Sequence, residues 1–427
     1  MKQKLKITIL LILCCISIFQ AQVPSKGDLV IKNINILTLT NATVLRNKSI
    51  LIRAGKIIKI DDYKKLHKSK TTAIIDGYGK YIMPGLAEMH SHLPIESKVD
   101  TLLMENVAAG VTQLRIMNAK TSQVQLRKRL ENNPNRIAPK LHYSHIITRD
   151  VKYSETQFDS LMLEIKRNKI DFIKLFSISN EQVFDNLMKS ANRHNIIVCG
   201  HYPSGIAMDK VLNSGYKSIE HLAGYEKITD ESELAKVIQL TKEKRVFNCP
   251  TLDWDIMSKN LQYPNDYKNR LIYDNAPNKY LKRWELDYST ALEKEGIEKI
   301  LDTKKNYLPT FARKQSIIKK LNENNCLLLI GSDAGINFQM NGFNMFEEMY
   351  HWSQVGIDNF TILQSATVTP SIFFNEDHLW GTIEIGKAAD FVILKKNPLE
   401  DITNMKTVEM TIIDGKIYLK KEILSKL

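Results

Sequence analysis

The stretch that decides the fold is "GLAEMHSHL", residues 85–93, an apolar run that ends with His90 and His92. Successive side chains of a β-strand point to opposite faces, so residues two apart share one face. The two imidazoles therefore converge at the end of a strand that is otherwise suited to a hydrophobic core. Either they share a task, or their spacing is an accident of composition.

Seven more short apolar runs follow this stretch, and amphipathic segments of helical length, such as "SETQFDSLMLEIKRNK", separate most of them. The runs are "GVTQLRIM" (110–117), "PKLHYSHII" (139–147), "DFIKLF" (171–176), "NIIVCGHY" (195–202), "YKSIEHLAG" (216–224), "RVFNCPTL" (245–252) and "CLLLIGSDAG" (326–335). Eight strands that alternate with helices are typical of an α/β protein with a (β/α)8 TIM barrel. We predict this barrel over residues 83–375.

The last two predicted strands are about seventy residues apart, which is far more than one connecting helix needs. We predict a helical insertion over residues 253–322, rich in Trp, Tyr and Lys. It forms either a lid or substrate wall, or a small core of its own.

Both ends of the chain have a different pattern, in which short β-rich runs alternate with turns. "RAGK" (53–56) and "DGYGK" (76–80) have the composition of tight turns, which predicts a small antiparallel sheet. A similar pattern returns in "ADFVILKKN" and "VEMTIIDGKIYLKK" near the C-terminus. We therefore predict one β-sandwich domain built from residues 27–82 and 376–427.

Composition is that of an ordinary globular protein, with 43% hydrophobic and 25% charged residues, but the formal net charge is +13. The lysines are scattered among acids, and no arginine-rich arm or zinc-finger spacing is present. We therefore expect a solvated basic surface and no nucleic-acid partner, with a polyanion-binding surface protein as the alternative. Cys199, Cys249 and Cys326 are too widely spaced for a disulfide framework.

The first 21 residues are predicted to be a signal peptide. Three lysines precede an apolar segment, residues 7–19, that is short for a membrane span. The signal peptide would direct the protein to the periplasm or the medium, and its cleavage after Ala21 would leave no stable membrane insertion. Because residues 1–21 contain three lysines and no acid, cleavage would also lower the formal net charge to +10. Acylation of Cys14 or Cys15 as a lipoprotein, or an uncleaved anchor, is the alternative.

Polar residues at the ends of the apolar runs are the candidates for a functional site, because barrel active sites lie at the C-terminal ends of the strands. These residues are His90, His92, Lys174, His201, His221 and Asp333. Each has a structural alternative: a histidine can be hydrogen-bonded, Lys174 can form a salt bridge, and Asp333 can cap a helix. Their matching positions on separate strands favour a shared metal site.

With these residues in place, the sequence resembles the amidohydrolase superfamily, in the branch of imidazolonepropionase-like proteins and zinc prolidase-like dipeptidases. The matching segments are "IMPGLAEMHSHLP", "NVAAGVTQLR", "DFIKLF", "SIEHL", "GSDAG", "ATVTPSIFF" and "GTIEIGKAADFVILKKNPLEDI". Two features depart from the family pattern. The third strand lacks a glycine-rich continuation, and Ile116 stands where many relatives carry an acid.

The resemblance implies two divalent metal ions, with zinc expected, bridged by a carboxylated Lys174. An ammonium group would repel both cations, whereas carboxylation by CO2 makes Lys174 an anionic oxygen ligand. His90, His92 and Asp333 would hold one ion, and His201 and His221 the other. A bridging water would lose a proton near neutral pH and attack a carbonyl carbon, with Asp333 as general base.

We therefore predict a metal-dependent hydrolase that cleaves a carbon–nitrogen bond of an amide type in a small molecule. A dipeptide, an N-acyl amino acid or a cyclic amide fits this chemistry. The alternatives are a lactone or ester hydrolase using the same site, and a metal-containing binding protein without turnover. The sequence leaves open whether the chain forms a homo-oligomer.

Overall fold

A computed structural model describes residues 28–118, 122–133, 135–148, 151–259, 261, 266–273, 276–336 and 338–427. The predicted signal peptide, residues 1–21, lies outside these ranges. Within them, none of the helices combines the length and the apolar character needed to cross a bilayer.

Strands and helices alternate through most of the described chain. The strands are β1 (Leu29–Leu37), β2 (Val44–Arg53), β3 (Lys56–Asp61), β4 (Ala73–Asp76), β5 (Tyr81–Pro84), β6 (Leu86–Ser91), β7 (Val111–Ile116), β8 (Lys140–Ile147), β9 (Phe172–Leu175), β10 (Ile197–Gly200), β11 (Ser218–Glu220), β12 (Phe247–Cys249), β13 (Phe391–Leu394), β14 (Val408–Ile413) and β15 (Lys416–Leu419). The helices are α1 (Val99–Ala108), α2 (Ser122–Asn132), α3 (Glu155–Arg167), α4 (Glu181–Arg193), α5 (Met208–Asn213), α6 (Glu231–Glu243), α7 (Leu252–Ser258), α8 (Asn278–Glu295), α9 (Ile297–Glu323), α10 (Asn344–Gln354), α11 (Asn359–Ser365), α12 (Val368–Phe373) and α13 (Lys420–Leu424).

The middle of the chain forms the predicted parallel barrel. Strands β6 to β12 pair in chain order, and a ring of buried apolar side chains, including Met89, Phe172 and Phe247, packs among them. Helix α4 shows why the connecting segments are helical: Asn180 caps its first turn, and its apolar face is buried. The fold class predicted from the sequence is confirmed.

The predicted eighth strand does not form a regular strand. Its segment, residues 327–333, makes one bridge to β12, between Leu328 and Asn248, and then reaches β6, where Asp333 N donates to His90 O at 2.9 Å. Other amides in the segment bond elsewhere: Ile330 N donates to Ser365 O, and Ser332 N donates to a side chain. The segment closes the barrel between β12 and β6 without completing a ladder.

The two ends of the chain form one eight-stranded sheet with the order β15-β14-β13-β5-β1-β2-β3, and β4 also pairs with β1. The prediction of an antiparallel sheet is wrong in part, because β4 and β5 run parallel to β1. "RAGK" does make a hairpin, with Ala54 and Gly55 both at positive φ. "DGYGK" bends the chain but does not reverse it, so β4 and β5 follow β1 in the same direction.

The sheet curls until its far edge approaches β13. Ile57 N, on β3, donates to Lys387 O, and Ala389 N donates to Gly55 O. Apolar residues from β1, β2, β3, β13 and β14 meet in one buried cluster inside the curl. The core that the sequence predicted for a sandwich is therefore enclosed by a single curved sheet.

Helices α7, α8 and α9 occupy the predicted insertion, and buried ion pairs join its segments to one another. Arg270 donates to Asp253 at 2.8 Å, and Lys314 donates to Asp255 at 2.7 Å. Asp253 also accepts a hydrogen bond from Asn344, at the start of α10. Removing one partner from such a buried pair leaves an uncompensated charge, so the two pairs hold the insertion together. The hydrogen bond between Asp253 and Asn344 joins it to α10.

Candidate metal centre

The structure brings all six predicted site residues to the C-terminal end of the barrel. His90 is the penultimate residue of β6 and His92 follows the strand, Lys174 lies in β9, His201 follows β10, and His221 follows β11. Asp333 is the last residue of the closing segment. The ring centroids of His90 and His92 are 5.2 Å apart, those of His90 and His221 are 4.9 Å apart, and those of His201 and His221 are 5.1 Å apart.

Asp333 lies at the centre of the imidazole cluster. Its Oδ1 is 3.0 Å from His92 Nε2 and 3.7 Å from His90 Nε2, and its Oδ2 is 3.9 Å from His221 Nε2. Ligand atoms of His90, His92 and Asp333 lie within 4.8 Å of one another. Two imidazole nitrogens and a carboxylate oxygen at this spacing can share one small cation.

Hydrogen bonds on the outer side of the cluster fix which ring nitrogen carries the proton. His90 Nδ1 lies 2.8 Å from Glu220 Oε2, and His201 Nδ1 lies 3.0 Å from Phe176 O. Both partners only accept, so each Nδ1 is the donor, and each Nε2 keeps its lone pair. His221 Nδ1 makes the corresponding contact with Thr251 Oγ1 at 2.6 Å. This is the orientation that metal-binding histidines need.

Burial keeps these imidazoles neutral. It lowers the pKa of His201 to about 4, and it lowers the pKa values of His90 and His221 well below the usual range. The positive charge of Lys174 acts in the same direction on all three histidines. Neutral imidazole is the form that binds metals.

Lys174 is the unusual member of the cluster, because it is 1% exposed and its Nζ has no hydrogen-bond partner. Burial lowers its pKa, which favours the neutral amine that can react with CO2. Its strand packs closely against β10: a Cβ on Gly200 would lie 2.3 Å from Leu175 O and 2.9 Å from Lys174 Cδ. Gly200 therefore lets the lysine reach the centre of the barrel.

Comparison with known proteins identifies the family. Residues 81–418 match the amidohydrolase family. The chain belongs to the amidohydrolase family. It is therefore a hydrolase of carbon–nitrogen bonds, as the motifs predicted, and amidohydrolases generally use a divalent metal.

Known structures share the fold of this amidohydrolase across almost its whole length. A Xaa-Pro dipeptidase with methionine bound in its active site is 18% identical, covers 92% of this chain and 100% of its own, and superposes with a TM-score of 0.70. Bottromycin amidohydrolase is 17% identical, with coverages of 95% and 91% and a TM-score of 0.70. An adenine deaminase from Staphylothermus marinus is 36% identical over 69 residues, which are 16% of this chain and only 11% of that protein.

The residues of this amidohydrolase fit a divalent metal. His90 Nε2 and Lys174 Nζ are buried and without hydrogen-bond partners, which is a costly state for polar atoms that nothing else satisfies. Both atoms belong to the predicted ligand set. A metal ion would satisfy the imidazole, and carboxylation would convert the amine into an oxygen ligand.

Sequence reasoning missed Glu220 and Arg115, which form a buried ion pair beneath the amidohydrolase site. Arg115 NH2 donates to both carboxylate oxygens of Glu220 at 2.9 Å, and Ser218 Oγ donates to Oε1 at 2.6 Å. Both charged side chains are fully buried. Glu220 therefore uses Arg115 for charge balance and presents Oε2 to His90.

Glu220→Gln should destabilise the metal-free protein by about 3–5 kcal/mol, because it leaves the Arg115 charge buried and unpaired. It should also weaken metal binding by about 10–100-fold, since the partner of His90 Nδ1 loses its charge. The midpoint of urea unfolding and a metal titration measure the two effects. In the double variant Arg115→Met/Glu220→Gln, the midpoint of urea unfolding should return part of the way to that of the parent, while the metal affinity stays low. A single variant with the parent's midpoint would contradict this assignment.

Glu88 is a second residue that sequence reasoning left without a role. It is fully buried and accepts hydrogen bonds from His90 N at 2.9 Å, Ser332 N at 2.9 Å and Ser332 Oγ at 2.6 Å. Gly331, which precedes Ser332, lets the closing segment approach β6 closely, because a Cβ at this position would lie 2.8 Å from His90 Cβ. Glu88 thus ties the closing segment to β6 and fixes Asp333 beside the two histidines.

The backbone at this site adopts an uncommon conformation. His221, Thr251 and Asp333 have φ values of 63°, 51° and 49°, in the left-handed region. This conformation is most unusual for Thr251, whose side chain is branched at Cβ. Such strain clusters at functional sites, where the surrounding structure holds it.

Proposed function

We propose that this amidohydrolase cleaves an amide bond in a small molecule such as a dipeptide, an N-acyl amino acid or a cyclic amide. The observation that carries the proposal is the convergence of His90, His92 and His221 on Asp333, with the buried amine of Lys174 in the same cluster. The likeness in fold to a Xaa-Pro dipeptidase supports an amide substrate.

The proposed cofactor is a pair of divalent ions, with zinc as the expected metal. His90, His92 and Asp333 would hold one ion, His201 and His221 the other, and carboxylated Lys174 would contribute oxygens to both. When bound, the metal supplies Lewis acidity, which lowers the pKa of a water molecule and polarises a carbonyl oxygen.

Asp333 is the proposed general base. The carboxylates of Glu88 and Glu220 are each saturated by hydrogen bonds from three groups, whereas Asp333 faces only imidazole nitrogens and keeps its side chain 11% exposed. Asp333 can therefore accept a proton from the attacking water and return it to the leaving nitrogen. The buried carboxylates hold the site in place and take no part in proton transfer.

Removal of the metal should abolish hydrolysis, and adding it back should restore the rate. The test is a screen of metal-loaded full chain against dipeptides, N-acyl amino acids, cyclic amides and lactones, repeated after dialysis against a chelator. Circular dichroism of the metal-free protein controls for unfolding. Hydrolysis of lactones alone would replace the amide proposal with an ester one, and an undiminished rate in protein whose metal has been removed would refute the proposed chemistry.

A further inference from the structure

A cavity of about 380 Å³ opens directly beside the metal centre, and the insertion forms one of its walls. His92 and Gly335, two residues beyond Asp333, are among its lining residues, and Tyr280 and Arg283 of α8 line the wall that the insertion forms. The side chain of His92 is 39% exposed, whereas His90 is buried. A molecule in this cavity would therefore contact the metal centre from the side of His92.

The wall is held in place by buried hydrogen bonds. Glu105, on α1, accepts from Tyr280 Oη on α8 and from Asn341 Nδ2 at 2.7 Å. Trp284, one helical turn beyond Tyr280, is buried in the main hydrophobic core. The cavity is thus largely formed before a substrate arrives, which lowers the cost of ordering it on binding.

Four acidic or basic side chains other than His92 line the cavity, and they do not contribute equally to its charge. Glu105 accepts hydrogen bonds from two donors, and burial raises its pKa to about 7, so it is only partly ionised near neutral pH. Lys98 is exposed and makes no ion pair with the described residues. Arg283 approaches Asp287 only through Nε, at 3.5 Å, and its side chain is 62% exposed.

The Arg283–Asp287 contact is too long for a good hydrogen bond, and such exposed pairs contribute little. Within the part of the chain that the structure describes, no hydrogen bond reaches the two terminal nitrogens of the Arg283 guanidinium, so they can bind a ligand. Their forked arrangement matches the geometry of a carboxylate. Lys98 and Arg283 therefore place two positive charges on the cavity lining, beside Asp287 and a partly ionised Glu105.

We propose that this cavity is a subsite for a carboxylate of the substrate, with Arg283 and Lys98 as its contacts. The inference rests on the proposed function and narrows it. Of the three substrate types, dipeptides and N-acyl amino acids carry a free carboxylate close to the scissile amide, whereas neutral cyclic amides do not. The insertion then selects the substrate, and the barrel end performs the chemistry.

The test compares each acid substrate with its C-terminal amide, using the metal-loaded full chain. Arg283→Met should lower kcat/KM for the acid by about 10-fold, through KM, because a charge-assisted hydrogen bond is lost. It should leave the amide unchanged. Lys282→Met, the neighbouring exposed residue that does not line the cavity, is the matched control and should change neither rate. Equal losses for acid and amide would overturn the subsite.

Asp287→Asn tests whether Asp287 competes with the substrate carboxylate for Arg283. It removes the carboxylate that competes for Arg283, so KM for the acid should stay the same or fall. If KM rises as in Arg283→Met, Asp287 does not compete for Arg283, and the proposed carboxylate subsite is wrong.

A binding experiment separates failure of the subsite from failure of the proposed function. An N-acetyl amino acid and its amide are titrated calorimetrically into metal-free protein, where no turnover occurs. We expect the acid to bind more tightly than the amide and the difference to vanish in Arg283→Met. No preference for the acid would overturn the subsite even if amides are hydrolysed. A clear preference without hydrolysis of any amide would refute the proposed function and leave the subsite standing.

Discussion

Asp333→Asn is expected to lower turnover by about 10²–10⁴-fold while the protein keeps its fold, most of its metal and its affinity for substrate. Asparagine has the same size and keeps one oxygen that can bind metal, but it cannot accept the proton of the attacking water. Its backbone should not be disturbed, because asparagine tolerates the left-handed conformation that Asp333 adopts at φ 49°. The measurements are kcat, KM and metal content per chain.

His90→Asn is the matched comparison for this experiment. His90 Nε2 is a proposed ligand and Nδ1 holds Glu220, so this variant should lose metal and activity together. Loss of turnover with metal retained in Asp333→Asn, beside loss of both in His90→Asn, identifies the base. If Asp333→Asn hydrolyses substrate at close to the parent rate, the mechanism is wrong, and Asp333 is only a ligand or a helix cap.

Lys174→Ala is expected to lose metal and to lower the rate by about 10³-fold, as the loss of several kcal/mol of metal-based stabilisation implies. The side chain is buried and its Nζ has no partner, so alanine leaves a small space beside the histidines. A short carboxylic acid such as acetate or propionate can enter this space and supply the missing oxygens. Added acid should therefore restore part of both the metal content and the rate.

Lys217→Ala is the control for this rescue. Lys217 lies just before β11, at the opposite end of the strand from His221. The Lys217→Ala protein should therefore keep its metal, and added acids should not change its rate. An alanine variant at position 174 with two metals and the full rate would show that Lys174 is not a bridge. A site with a single ion and no bridge would then be the better description.

The sequence was sufficient to predict the barrel and the grouping of six side chains, because parallel strands bring their C-terminal ends to one place. It was not sufficient for the closing segment. The "CLLLI" run is as apolar as a strand, but Ile330 N donates to Ser365 O, and Ser332 N, just beyond the run, donates to Glu88. Neither contact leaves a local pattern. The parallel course of β4 and β5 was missed for the same reason: alternation indicates a strand but not its partner.

Some of the missed residues did carry a signal. Arg115 and Glu220 lie inside apolar strands, where a charge must find an opposite charge, so the two could have been paired. Thr251 carries no such signal, because its role depends on the rotation of the His221 ring. The sequence also left undecided whether the insertion forms a wall of the active site, for a similar reason. Tyr280 meets Glu105 across 175 residues of sequence, and helical periodicity does not specify that contact.

The shared sheet has a consequence for how the protein is made. Strand β5 pairs with β1 on one edge and with β13 on the other, and β13 lies more than 300 residues further along the chain. At about 5–20 residues per second, synthesis of that interval takes about 15–60 s, and the edge of β5 has no partner during this time. An open edge can pair with other chains, and closing such a long loop slows folding. Newly made chains are therefore most prone to aggregation before β13 has been synthesised. Substitutions in β5 should lower the yield of folded protein even where they change the free energy of unfolding of the finished enzyme only slightly.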